Sequence, residues 1–129
     1  MVAYSFKKQF VPLIRQGYKR QTIRANSLRP HVRVGELIQL YTAMRTIHCA
    51  RILPDVPCID VCPLIIWFDD TRITRIETAS MPVRDLDAFA VRDGFTDIED
   101  MGRFWYDAHG GMTRFAGVLI EWAYPGEAA

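Results

Sequence analysis

The sequence predicts a small α+β domain in which short strands form a barrel or curled sheet flanked by helices. Strand-like stretches follow one another closely from residue 2 to residue 77, with turn signals between them. The pattern then changes to helical periodicity between residues 85 and 108, before one last strand. The 129 residues, half of them hydrophobic, can bury a core without disulfides, and they contain no repeat or linker. We therefore predict a single domain, 1–129.

Alternation of apolar and polar residues defines the elements of the first half. Val2–Phe6 alternates as a strand, and residues 10–16 have apolar positions at helical spacing before Gly17, which can adopt the left-handed conformation that ends a helix. Residues 25–34 combine turn formers with arginines, which predicts a loop that is mobile and closes over a cleft. Two antiparallel strands are then predicted, at 37–41 and 45–53.

The second half starts with strands and continues with helices. A long apolar strand is predicted at 58–68, interrupted at Pro63, and a return strand at 72–77. Helical periodicity covers 85–92 and 97–108, with caps at Arg84-Asp85 and Thr96-Asp97. A final strand is predicted at 115–122.

Charge is distributed unevenly along the chain. Through Arg51 there are ten lysines or arginines and one acid, whereas the remainder holds six basic residues and fourteen acids. One interpretation is a basic surface for an anionic partner, with phosphate the usual example. The other is that the two halves neutralise each other within a compact fold.

Composition also bears on location and metal binding. The longest apolar run, 63–68, is too short to span a bilayer, and Lys7 and Lys8 follow rather than precede the apolar N-terminal residues of the chain. We therefore expect a cytoplasmic protein without a membrane partner. Cys49, Cys58 and Cys62 are odd in number and form no CxxC pair, so we predict reduced, buried structural cysteines and no metal site.

The segment richest in reactive groups is residues 19–24. Its amine, hydroxyl and two guanidinium groups belong to Lys19, Thr22, Arg20 and Arg24. In an extended chain Lys19 and Thr22 point to opposite faces, whereas a bend between them would make them neighbours. On spacing alone, a basic turn between a helix and a strand is the simpler interpretation.

Catalysis by Lys19 and Thr22 would also need a carboxylate, and Asp93, in the turn between the two helices, is the candidate. A hydroxyl becomes a nucleophile when a neighbouring base takes its proton, and a lysine can be that base when desolvation lowers its pKa towards neutrality. The carboxylate would orient the amine or protonate a leaving amine. The alternative role for Asp93 is a helix-flanking acid.

Short motifs across nearly the whole chain resemble those of one family. They are the segment 17–24, Gly35-Glu36, Leu40-Tyr41-Thr42, Arg45-Thr46, Cys49, Asp93-Gly94-Phe95, Met101, Phe104-Trp105, and Phe115-Ala116-Gly117 through Trp122. Together they resemble the ASCH domain (activating signal cointegrator homology) of the PUA-like superfamily, and small bacterial and phage members most of all. The resemblance implies a PUA-like small β-barrel with flanking helices and a cleft for a nucleoside or nucleic acid.

The resemblance also implies a chemistry. Some members are amidohydrolases that remove the acetyl group from acetylated cytidine, using a lysine, a threonine three residues later and a glutamate. These map onto Lys19, Thr22 and Asp93, whose side chain is one methylene shorter than glutamate. Other members are reported as ribonucleases, and some have no known activity.

Three further residues suit such a cleft. Arg24 and Arg45 could pair with phosphate or stack on a base, and Tyr41 could offer a ring face and a hydroxyl. Tyr41 could instead pack within its strand, and Arg45 could be a surface turn residue. We predict an amidohydrolase for an acylated, acetylcytidine-like nucleoside, with no cofactor and no obligatory protein partner. The alternative is an RNA-binding or RNA-cleaving module without this activity.

Overall fold

The computed structural model describes residues 2–127, and within that range the chain is α+β, as predicted. Its strands are β1 (Val2–Phe6), β2 (Gln21–Ala25), β3 (Leu37–Thr42), β4 (Ala50–Arg51), β5 (Val56–Asp69), β6 (Arg72–Thr78), β7 (Met81–Pro82) and β8 (Arg114–Trp122). Its helices are α1 (Val11–Arg15), α2 (Leu86–Arg92), α3 (Ile98–His109) and a 3-10 turn, Lys8–Phe10, directly before α1.

The strands form a mixed sheet. Its order follows the open path β1-β3-β5-β6-β7, with β4 beside β3 and with β8 beside both β2 and β5. β1 runs parallel to β3, with Val2 opposite Ile38, while β3 is antiparallel to β4 and β5, and β6 is antiparallel to β5 and β7. The described architecture is thus a strand-rich open sheet with three α-helices. Closure into a barrel stays a prediction.

The chain divides into two compact units. The first contains Met1–Thr22, Ser27–Val61 and Ile120–Ala129, and the second contains Ile23–Asn26 and Cys62–Leu119. The best-buried side chains of the first unit include Ile14, Ile38, Leu40, Val56, Ile120 and Trp122. Those of the second include Leu64, Ile66, Ile76, Phe89 and Met101. Each unit therefore has its own apolar core.

Two predicted strands have different bounds in the structure. The partner of β3 is limited to Ala50–Arg51 rather than 45–53, because the chain turns at Ala43 and Arg45, whose φ angles are 52° and 67°. Pro63 does not interrupt β5, which is continuous over 14 residues. β5 pairs with β3 at Val56 and Pro57 and with β6 only from Leu64 onwards, so Pro63 lies where the partner strand changes and a missing N–H is tolerated.

The helix caps of the second unit are those that the sequence predicted. The Asp85 carboxylate accepts a hydrogen bond from Ala88 N at 2.9 Å, and that of Asp97 accepts one from Asp100 N at 2.8 Å. α3 ends at Gly110, which has a left-handed φ of 70°. Within residues 2–127, no helix combines the length and apolar character needed to cross a membrane.

The loop expected to be mobile is anchored in its second half. The Tyr4 hydroxyl lies 2.8 Å from His31 Nδ1 and accepts a hydrogen bond from Val32 N at 3.2 Å. Val32 is itself buried, with 2% of its surface exposed. The sequence showed no apolar pattern here because one inward-facing valine is too little to produce one.

Candidate active site

Buried polar side chains are few in the described chain, and they include all three predicted catalytic residues. Between residues 2 and 127, the polar or charged residues that are buried are Lys19, Gln21, Thr22 and Asp93, each at most 5% exposed. Lysine and aspartate are almost never fully buried unless they are paired. Their burial therefore marks positions where a polar group is held inside for a specific reason.

Lys19 lies in the turn between α1 and β2, where α1 ends at a left-handed glycine. Gly17 has a φ of 80°, and the Leu13 carbonyl accepts hydrogen bonds from both Tyr18 N and Lys19 N. The Lys19 ammonium lies over the Phe10 ring at 4.8 Å from its centroid and 5.9 Å from that of Phe6. Burial disfavours an ammonium, whereas aromatic faces favour it, so the surroundings of this amine act on its charge in opposite directions.

Thr22 is the second residue of β2. Gln21 and Thr22 are adjacent in the strand and both buried, although adjacent side chains point to opposite faces of a strand. Both faces of β2 are thus covered at its start. Sequence reasoning missed Gln21 as a buried polar residue; its alternation with Ile23 was the available signal.

Asp93 belongs to the second unit, where it ends α2. Its backbone N–H donates to the carbonyls of Phe89 and Ala90, at 3.0 and 3.1 Å, which fixes the position of its Cα. The side chain is 5% exposed. A solvated helix-flanking acid would be exposed, as Asp85 and Asp87 are at the other end of α2. Asp93 is therefore a different kind of acid from its neighbours.

The three predicted binding residues have different settings. Arg24 is half-buried in β2, and Tyr41 is half-buried in β3. The Tyr41 hydroxyl accepts a hydrogen bond from Arg51 at 3.3 Å, and the pKa of Arg51 is raised, chiefly by this bond and then by the charges of Tyr41 and Asp55. Arg45 is exposed in the left-handed turn after β3. The Tyr41 hydroxyl is thus bound to the guanidinium of Arg51, a residue that sequence reasoning did not include among the candidates.

The cysteines differ from the expectation that all are buried. Cys58 is buried, Cys62 is half-buried and Cys49 is exposed, and none of the three is in a disulfide within the described residues. Cys49 is exposed because it lies in the turn before the short β4 rather than within a longer strand. Over residues 2–127, no three His, Cys, Asp or Glu side chains gather closely enough to hold a metal ion.

No family model, curated protein or solved structure matches the chain at a significant level.

Proposed function

We propose that this protein is an ASCH-like amidohydrolase that removes an acyl group from a modified cytidine-type nucleoside, in a PUA-like barrel. One observation carries the proposal: three of the four buried polar residues described above are the lysine, threonine and acid that the family resemblance selected. Packing alone gives no reason to bury these three, since burying a charged group costs free energy unless its surroundings compensate. Charged side chains that are held inside a protein are candidates for functional residues.

In the proposed reaction Lys19 accepts the proton of Thr22 Oγ1, and that oxygen attacks the acyl carbon. The bond between the acyl carbon and the exocyclic nitrogen breaks, and the nitrogen leaves as the free amine of the nucleoside after gaining a proton. Asp93 assists that leaving amine. Water then cleaves the ester on Thr22, which releases the carboxylic acid and restores the hydroxyl.

The residues around the amine support this role for Lys19. The Phe10 and Phe6 rings lie beside the amine and shield that side of it from water. A neutral amine is needed for proton transfer, so hydrolysis should increase with pH as the amine loses its proton. Desolvation favours the neutral form of the Lys19 amine, and the aromatic faces favour its charged form. A pH profile of hydrolysis shows which of the two effects is larger.

The test is incubation with acylated cytidines, followed by chromatography for the released nucleoside. Lys19→Arg keeps a permanent positive charge and should lower kcat by about 100-fold or more, because a general base contributes at least that much. Thr22→Ala should do the same, and the double variant should be no worse than either, because the two residues act as one unit. Ligand binding by Lys19→Arg should stay close to that of the wild type.

A near wild-type rate for Lys19→Arg would exclude Lys19 as the base. If the wild-type protein hydrolyses no acylated nucleoside but binds RNA, the RNA-binding alternative replaces the proposal. One observation favours that alternative: the first unit carries nine basic and five acidic residues, a net charge of +4.

A further inference from the structure

The segment that follows β8 packs on the turn that carries Lys19. The Tyr124 hydroxyl donates a hydrogen bond to the Arg15 carbonyl at 2.6 Å. Its ring covers Gly17, where a Cβ atom would lie only 2.9 Å from ring carbon Cδ1. Glycine is therefore required at position 17 for the ring to approach, as well as for its left-handed φ.

Arg20 joins the same segment to the other end of the turn. Its Nε donates to the Gly17 carbonyl at 2.7 Å, and its Nη1 is 2.5 Å from Glu127 Oε2. The guanidinium carbon also lies 5.4 Å from the centroid of the Tyr124 ring. Tyr124 and Glu127, which we call the C-terminal clasp, thus hold the turn at Gly17 and at Arg20, on both sides of Lys19.

The backbone of the turn is also held to α1, because the Leu13 carbonyl accepts hydrogen bonds from Tyr18 N and Lys19 N. Tyr18, between Gly17 and Lys19, is 70% exposed and adds little apolar packing. The backbone of Arg20 is fixed by Trp122 N, which donates to its carbonyl at 3.0 Å, so the clasp acts together with the end of β8. The position of the Lys19 amine over Phe10 therefore depends on a segment more than a hundred residues further along the chain.

We propose that Tyr124 and Glu127 are positioning residues that fix the Lys19 turn and thereby align its amine for proton transfer. The expected effect on kcat rests on the proposed function, whereas the placement of the Lys19 turn rests only on the contacts described above. Small displacements of a reacting group cost rate because proton transfer requires hydrogen-bond geometry. Loss of the clasp should thus lower kcat with little change in KM.

The experiment compares Glu127→Gln and Tyr124→Phe with the control Glu77→Gln. Glu77 pairs with Arg75 at 2.7 Å in the second unit, so the control removes one charge from a similar ion pair that is not part of the clasp. The chain has three lysines, and Lys7 and Lys8 are exposed, so they serve as internal references for amine modification mapped by mass spectrometry. Unfolding midpoints measured for each variant test whether it remains folded.

We expect the labelling of Lys19 relative to Lys7 and Lys8 to rise, and kcat to fall, by about threefold to fivefold in both clasp variants, which lies within the range for loss of an exposed ion pair in Glu127→Gln and of a neutral hydrogen bond in Tyr124→Phe. KM should stay within about twofold, because substrate binding does not use the clasp. Unchanged labelling and kcat, as in Glu77→Gln, would overturn the inference. If the wild-type protein hydrolyses nothing but labelling of Lys19 still rises, the proposed function fails while the placement of Lys19 by the clasp is upheld.

Discussion

Cys58, in β5, shows how burial sets the chemistry of a single residue. It is 2% exposed, and its thiol donates a long hydrogen bond of 3.7 Å to the Asp60 carbonyl. Burial is the largest cause that raises the pKa of the Cys58 thiol, and the nearby carboxylates of Glu36 and Glu121 add to it. The folded protein therefore keeps this proton to a higher pH than the unfolded chain does.

The first prediction follows from the sign of that shift. Because the unfolded thiol ionises first, the stability contributed by the Cys58 proton is present below the unfolded pKa and is lost as pH rises above it. Between about pH 8 and about pH 10, the free energy of unfolding in urea should fall more steeply with pH for the wild type than for Cys58→Ala. The variant is the control for all other titrating groups. Equal slopes for the two proteins would show that the thiol ionises alike in both states.

The second prediction at this scale concerns the acid. If Asp93 assists the leaving amine, Asp93→Asn should lower kcat by about 100-fold, while Asp93→Glu, which introduces the acid of the amidohydrolases that the motifs resemble, should retain activity. Steady-state hydrolysis and thermal unfolding, measured on both variants, separate catalysis from structure. A purely structural acid would give the opposite pattern, with stability reduced and the rate per folded molecule unchanged.

Among the elements, α3 packs tightly against the turn between β5 and β6 at one glycine. A Cβ atom on Gly102 would lie 2.2 Å from the Thr71 carbonyl oxygen, in the turn between β5 and β6. Because that neighbour is backbone, it cannot move aside as the end of a side chain could. The same helix packs Trp105 against Phe68 and Phe115, with ring centroids 5.9 and 4.7 Å apart. The aromatic core of the second unit therefore depends on this approach.

Gly102→Ala should destabilise the protein by about 1–3 kcal/mol, even though alanine is favoured over glycine by about 1 kcal/mol in a helix. The measurement is the free energy of unfolding in urea. Ala108→Gly, at an exposed position of the same helix, is the control that measures propensity without a clash. Stabilisation by Gly102→Ala would mean that α3 lies further from the turn than described.

On the scale of the whole molecule, charge also separates by unit, although less strongly than along the chain, where residues 1–51 carry +9 and the remainder −8. The first unit has a net charge of +4, and the second, with seven basic and ten acidic residues, has −3. An anionic partner is attracted by the sum of these charges at long range and by individual arginines at contact. Arg45 is exposed in the first unit and Arg84 in the second.

This distribution predicts the salt dependence of any RNA binding. In fluorescence anisotropy with a labelled oligonucleotide, the logarithm of the binding constant should fall linearly with the logarithm of salt concentration. Arg45→Ala should reduce that slope by about 1, whereas Arg84→Ala, the matched control, should leave it unchanged. Equal effects of the two substitutions would show that the basic unit has no special part in binding.

Much of the fold could be predicted because the signals are local. β1, α1 ending at Gly17, and the caps Asp85 and Asp97 all depend on residues within one turn of the chain, so the sequence contains the whole cause. The candidate residues Lys19, Thr22 and Asp93 could be named because their spacing and chemistry resemble those of a family. Their function stays a prediction.

Strand pairing and side-chain contacts between residues far apart in the sequence were decided only by the tertiary structure. The passage of β5 through Pro63 depends on which strand lies alongside, and that is set by register rather than by local propensity. Burial of Lys19 and Gln21, and the contacts of Arg20 with Tyr124 and Glu127, join residues up to 107 positions apart. No local pattern specifies such pairs, because they form only when the compact chain brings the two segments together.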